Sequence, residues 1–225
     1  SLMQADNRPV MVQALQRAPD GVLQAKHLIH ARQLTLTPEN GGMMVGDVPG
    51  WYRGWLVPSS DKSLLGLSST ADESPSGGAT IRQLTGIHLI FQESMQADMT
   101  ARQLDFLRGV RVAVRTLAGW NEAFDAQQMD AISVGESTLD CDQLRFNIEP
   151  GHNLASQAPA GQTPWEMQAI SGVVFRTRND HGLFEGTASR AAYSSSKDIF
   201  TVDGAPNRAA IFRQTLPDGS KGPEG

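Results

Sequence analysis

The sequence predicts an all-β protein built from repetitive antiparallel strands, and three observations carry that reading. Apolar and polar residues alternate with period two in several stretches. A short pattern, small-x-(Gln/Arg)-apolar-x-apolar, recurs along the chain. Gly 22 and Pro 12 together occupy roughly one position in seven, the density that short strands joined by tight turns require.

The strands can be taken in order. Ile87, Leu89 and Phe91 alternate with His88, Ile90 and Gln92. Val110, Val112 and Val114 alternate with Arg111, Ala113 and Arg115. Leu144, Phe146 and Ile148 alternate with Gln143, Arg145 and Asn147, and Val173, Phe175 and Thr177 with Val174, Arg176 and Arg178. Period two with β-branched and aromatic residues marks half-buried strands. Residues 22–36 and 121–132 hold enough Ala, Leu and Gln to read as helix as well, so both states stay open there. The Ser/Gly-rich stretch 68–80 and the unpatterned stretch 151–164 are predicted to be mobile loops. Residues 1–9 are expected to be an expression scar and a disordered start, 10–214 a single β domain, and 215–225 a polar tail.

Composition narrows the function. A net charge of −5 argues against a nucleic-acid partner, which asks for a basic surface. A lone Cys141 excludes an internal disulfide framework and a Cys-rich metal site. No apolar run approaches the roughly 18–20 residues that a membrane helix needs, and residues 1–9 lack the basic-then-apolar pattern of a secretory leader.

The recurring pattern is ARQLTL at 31–36, ARQLDF at 101–106, CDQLRF at 141–146 and ASRAAY at 188–193. Its apolar pairs are Leu34/Leu36, Leu104/Phe106, Leu144/Phe146 and Ala191/Tyr193. A spacing of two puts both members on one face of a strand. Trp51 and Trp120 follow the first two copies at similar distances, each after a glycine. Similar strands stacked side by side would share one apolar interior.

The run GLFEGTASRAAYSSSKDIFTVDGAPNRAAIFRQ, residues 182–214, resembles the OstA-like (LptA-like) family of periplasmic lipopolysaccharide-transport proteins. Ala188, Arg190, Ala191 and Tyr193 match its G-x-A-x-R-A-x-Y strand, and 194–198 its polar turn. Ile199, Phe200, Val202 and Gly204 match its second strand, and 209–213 its third. HARQLTLTPENGGMMVGD, residues 30–47, is a looser copy. The resemblance implies antiparallel strands curled into an open jelly roll, with an apolar interior that shields lipid acyl chains. It also implies a periplasmic or cell-envelope location and a lipopolysaccharide-type ligand.

The residues expected to line that interior are Leu34, Leu36, Phe91, Leu104, Phe106, Val112, Leu144, Phe146, Tyr193 and Phe200. Arg111 and Arg115 lie outward together on one strand and are candidates for a lipid headgroup, although pairing with local acids explains them more simply. Exposed strand edges could pair with a second copy or with an envelope protein.

Catalytic chemistry finds little support. His27, His30, His88, His152 and His181 form no ligand set with recognisable spacing, and surface histidines are the default. Neither a nucleophile elbow nor a phosphate-binding loop occurs. Asp140, Asp142 and Glu149 read as a solvated strand face rather than a glycosidase pair. Trp51, Trp55, Trp120 and Trp165 would have to be exposed to serve as a carbohydrate platform. The expectation is a non-catalytic lipid-binding module without metal or cofactor. The alternatives are a structural module acting through strand edges, and a jelly-roll carbohydrate-binding module or enzyme.

Overall fold

The computed structural model describes residues 9–37, 42–47, 50–57, 83–148, 164–197 and 199–224. The fourteen strands among the described residues all belong to one antiparallel sheet. They are β1 (Val10–Arg17), β2 (Leu23–Ala31), β3 (Leu34–Thr37), β4 (Met43–Asp47), β5 (Gly50–Leu56), β6 (Leu84–Phe91) and β7 (Ser94–Asp98). Then come β8 (Gln103–Leu117), β9 (Glu136–Ile148), β10 (Trp165–Asn179), β11 (Gly182–Ser194), β12 (Ile199–Asp203), β13 (Ile211–Thr215) and β14 (Lys221–Glu224).

The pairing divides into two ladders that share the long strands β8 to β11. The first ladder runs β1-β2-β5-β6, crosses residues 110–117, 137–141, 173–179 and 182–188, and ends on β13 and β14. The second runs β3-β4-β7, crosses 103–107, 143–147, 165–170 and 190–194, and ends on β12.

Between the ladders the crossing strands are disrupted at one level, except β9 and β11, which run through it unbroken. The chain breaks at Arg32 and Gln33 between β2 and β3, and at Gln92 and Glu93 between β6 and β7. Of the long strands, β8 and β10 bulge instead. Leu107 pairs with Gln143 and Val110 with Cys141, so three steps on β8 oppose two on β9. Ile170 and Val174 of β10 oppose Gln143 and Asp140 in the same uneven way. The bulges hold Arg108 and Ser171 at φ 58° and 62°, a region that non-glycine residues seldom occupy.

The sheet is folded across this corner. Phe175 sits opposite Gly186 and Phe200 opposite Tyr193, both partners on β11. In a straight strand positions 186 and 193 would stand about 23 Å apart. Yet the rings of Phe175 and Phe200 meet at 5.6 Å. The inner faces of the two ladders therefore converge on one apolar cluster that draws on both. Its largest fully buried members include Tyr193, Phe106, Leu89, Met95, Leu139, Leu144 and Met167.

The alternation follows from this. Val110, Val112, Ile87, Leu89, Phe91, Val173 and Phe175 point inward and are buried, while Val174 points outward and is 39 % exposed. Among the described residues no α-helix occurs. The stretch 22–36 forms β2 and β3, and 121–132 holds one 3-10 turn, Ala126–Gln128, whose start is capped by the Asp125 carboxylate accepting from the Gln127 amide. Tertiary packing decides this second case, because Ala126, Met129 and Ile132 bury against the sheet rather than along a helix stripe.

Part of the polar tail expected from residue 215 is ordered as a hairpin. Leu216 to Ser220 form a turn and β14 pairs back onto β13. The Leu216 amide donates to the Ser220 carbonyl, and Gly219 takes φ 85°. Pro, Asp and Gly in succession are the residues such a turn needs. The loop 68–80 lies outside the described residues, as does 151–164 apart from Pro164.

Candidate functional site

The interior is built around aromatic rings. Phe91, Phe106, Phe146, Trp165 and Tyr193 form a row across β6, β8, β9, β10 and β11, with successive centroids 5.6, 6.5, 6.1 and 5.3 Å apart. A second row joins Phe200, Phe175, Phe212 and Phe184 at 5.6, 6.2 and 5.8 Å. Seven of the chain's eight phenylalanines thus meet on the inner face, although aromatics are scarce overall. Ring pairs at these separations add cohesion beyond their buried area.

Of the ten residues expected to line the interior, nine belong to the inner cluster. Phe91, Phe106, Val112, Leu144 and Tyr193 are buried members, and Leu34, Leu104, Phe146 and Phe200 are partly buried against it. Leu36 is the correction, at 52 % exposure. It shares a face with Leu34, but among the described residues β3 is the last strand of its ladder and pairs only with β4.

Arg111 and Arg115 do lie outward, but their outer face is not open. Arg111 Nη2 donates to the Met129 carbonyl at 3.0 Å, and its guanidinium sits 3.4 Å from Asp130 and 3.8 Å from Asp140. Arg115 stands 3.5 Å from Glu136, with its guanidinium over the Phe124 ring. Both are engaged by neighbouring acids and by the segment 118–134.

That segment is what sequence reasoning missed. It lays Trp120, Phe124, Ala126, Met129 and Ile132 on the outer face of the first ladder, against Trp55, Leu84, Ala113 and Leu117. Trp55 Nε1 donates to the Glu122 carbonyl at 2.6 Å. A signal was present: LTGIHLIF, the sequence of β6, is apolar on both parities, the mark of a strand buried on both faces.

His88 is the pin between this segment and the sheet. It is 3 % exposed. Its Nδ1 accepts from the Ala126 amide at 2.9 Å, so the neutral ring carries its proton on Nε2. Burial, and then Arg53 on the neighbouring strand, push its pKa down to about 4 against an opposing pull from Asp125. The unfolded chain therefore binds this proton first as pH falls from about 6.5, and stability is lost between there and about pH 4. From His88 alone the loss should reach about 2–3 kcal/mol by pH 4.5. Urea unfolding at pH 7.5 and 4.5 checks this: a His88→Gln variant should show a smaller drop than the parent, and an equal drop contradicts the assignment.

The remaining chemistry-bearing residues are dispersed. His27 Nδ1 meets the Tyr52 hydroxyl at 2.8 Å on the inner face, where burial lowers the His27 pKa and raises that of Tyr52. His30, on the opposite face of β2, stacks on Trp51 at 5.1 Å. His152 lies outside the described residues, and His181 is exposed. Among the described residues no group of three or more His, Cys, Asp or Glu could hold a metal ion. Burial raises the Cys141 thiol to about 12, which keeps it protonated and inert. Asp105, the most buried carboxylate among the described residues, accepts from Arg145 Nε at 2.8 Å, from Gln143 at 3.0 Å and from Gln103. Asp140 faces Arg111 and Asp142 accepts from Ser171 Oγ, so they present no facing carboxyl pair. Glu149 lies outside the described residues. None of the four tryptophans is exposed.

No family model, no curated protein and no solved structure matches this chain.

Proposed function

We propose that this protein is a non-catalytic β module of the cell envelope that binds lipopolysaccharide-type lipid through its apolar interior. In this reading the folded sheet is an open jelly roll of the OstA-like kind. One observation carries the proposal: the aromatic inner face continues to a partly exposed rim. Leu104, Phe146, Trp165 and Phe200 are only partly buried where the second ladder ends. An acyl chain laid along that rim would gain about 0.8 kcal/mol for each CH₂ it buries.

The test is uptake of a fluorescent acyl probe, competed by lipopolysaccharide. The parent protein should take up the probe. Trp165→Glu places a charge between Phe146 and Tyr193 at the rim and should weaken uptake roughly tenfold, about 1.4 kcal/mol. Circular dichroism of the variant guards against misfolding. Absence of uptake by the parent would sink the proposal.

A second reading rests on β1. Its eight residues pair along one side with β2, and seven of them are exposed, among them Met11 at 60 % and Leu15 at 47 %. A regular apolar edge of this length is a template for strand addition. Failure of probe uptake together with a concentration-dependent mass would favour a structural module that associates through this edge.

A further inference from the structure

The geometry points to a second binding site, on the outer face of β10, β11 and β12, for an anionic, hydroxyl-bearing headgroup of the sugar-phosphate class. A groove of about 380 Å³ crosses these three strands. Its floor is the methyl group of Ala192. The register places Gln168 on one side of Ala192 and Thr201 on the other, and Arg190 and Ser194 flank it two residues away on the same face of β11. A small residue ringed by longer ones makes the depression. The residues that alternate with them, Met167, Ala191, Tyr193, Phe200 and Val202, belong to the interior cluster. The groove therefore lies directly behind the aromatic interior, beside β12, which pairs only with β11 among the described residues.

The groove carries two cations with no ion pair among the described residues. Arg108, Arg111, Arg115 and Arg145 are all held by acids. Arg190 and Lys197, both exposed, line the groove and make no ion pair among the described residues. Glu166, opposite Ser194, is the one carboxylate of the lining among the described residues, and Asp203, opposite Arg190 in the β11–β12 register, lies outside the lining and forms no ion pair with it. Arg190 stands at one end of the groove and Lys197 in the turn beyond the other. Positions 190 and 194 alone are about 13 Å apart along the strand. A ligand that satisfies both ends carries two anionic groups, and a middle that meets Gln168, Ser194 and Thr201 carries hydroxyls. Arg111 and Arg115 are thereby replaced as the headgroup contacts. The site rests on the lipid reading only for the ligand's tail: an amphiphile could turn over β12, with its chain on the rim at Trp165 and Phe200 and its head in the groove.

The experiment titrates the intact chain with glucose 1,6-bisphosphate, glucose and inorganic phosphate, followed by amide chemical shifts and calorimetry. The bisphosphate should move the amides of Gln168, Ala192 and Thr201 and bind more tightly than either control. Reversing both cations, R190E with K197E, should weaken it roughly tenfold or more and flatten its salt dependence. Ala192→Leu fills the floor without changing charge and should weaken it as well. Equal binding by parent and charge-reversed protein overturns the site. Equal binding of inorganic phosphate and bisphosphate overturns the headgroup assignment and leaves a simple phosphate site. An uncharged probe, dodecyl maltoside, separates the two proposals: if it fails to bind while the bisphosphate binds, the interior reading falls and the groove stands.

Discussion

A Gly186→Val variant is expected to lose about 3 kcal/mol of stability, while Gly119→Ala changes it by less than about 0.5 kcal/mol. Gly186 lies opposite Phe175 in the β10–β11 ladder, and a Cβ placed on it would fall 2.1 Å from the Phe175 ring. The ring cannot withdraw, because it also packs on Phe200 at 5.6 Å and Phe212 at 6.2 Å. The same device recurs at Gly50, where a Cβ would fall 2.2 Å from Phe91, its ladder partner. Each ring lies down over a neighbouring glycine and so keeps the inner layer thin enough for the two ladders to meet. At Gly119 nothing lies within 4 Å. Urea midpoints with an unchanged slope give the comparison. A Gly186→Val protein as stable as its parent would show that the ring does not rest there.

The recurring motif shows what was legible and what was not. Three copies turn out to be corner crossings. Ala31, Cys141 and Ala188 close an inward position of the first ladder, two residues cross the bend, and Leu34, Leu144 and Ala191 open an inward position of the second. The step of three between inward residues shifts the parity by one, which is what a fold across the sheet demands of β9 and β11. The copy at 101–104, although identical to the first, does something else: Ala101 and Arg102 sit in the turn between β7 and β8, with Arg102 at φ 54°. Four-letter identity was a poorer guide than the burial role of its first and last letters.

Inner-face residues were readable because alternation is a local property that survives without knowledge of partners. Leu36 escaped because burial at a ladder's end depends on what lies opposite, which no local pattern encodes. The outer segment 118–134 and the groove around Ala192 were hidden for a related reason. Both depend on register across strands distant in sequence, such as Gln168, Ala192 and Thr201. Arg190 was visible as part of a strand motif, but that it makes no ion pair among the described residues was not.

Phe106→Ala is expected to cost about 4 kcal/mol, the largest effect of any substitution considered. The side chain is 1 % exposed, and its ring touches Phe91 at 5.6 Å and Phe146 at 6.5 Å, linking β6 and β9 through β8. Truncation removes a whole ring from a site whose neighbours are themselves fixed by ladder pairing, so the space cannot close. Phe146→Ala should cost less, because Phe146 is only partly buried at the rim. The pair also separates two uses of the inner face. If Phe106 is filler, the Ala variant that remains folded offers an added apolar cavity and should take up the acyl probe at least as well as the parent. Phe146→Ala removes a contact surface and should weaken uptake. Paired measurements of urea midpoint and probe affinity check both: equal stability losses, or tighter uptake in Phe146→Ala than in Phe106→Ala, would contradict a packed centre with a binding rim. The centre of the row then holds the two ladders together, and its partly buried end is what remains for a ligand.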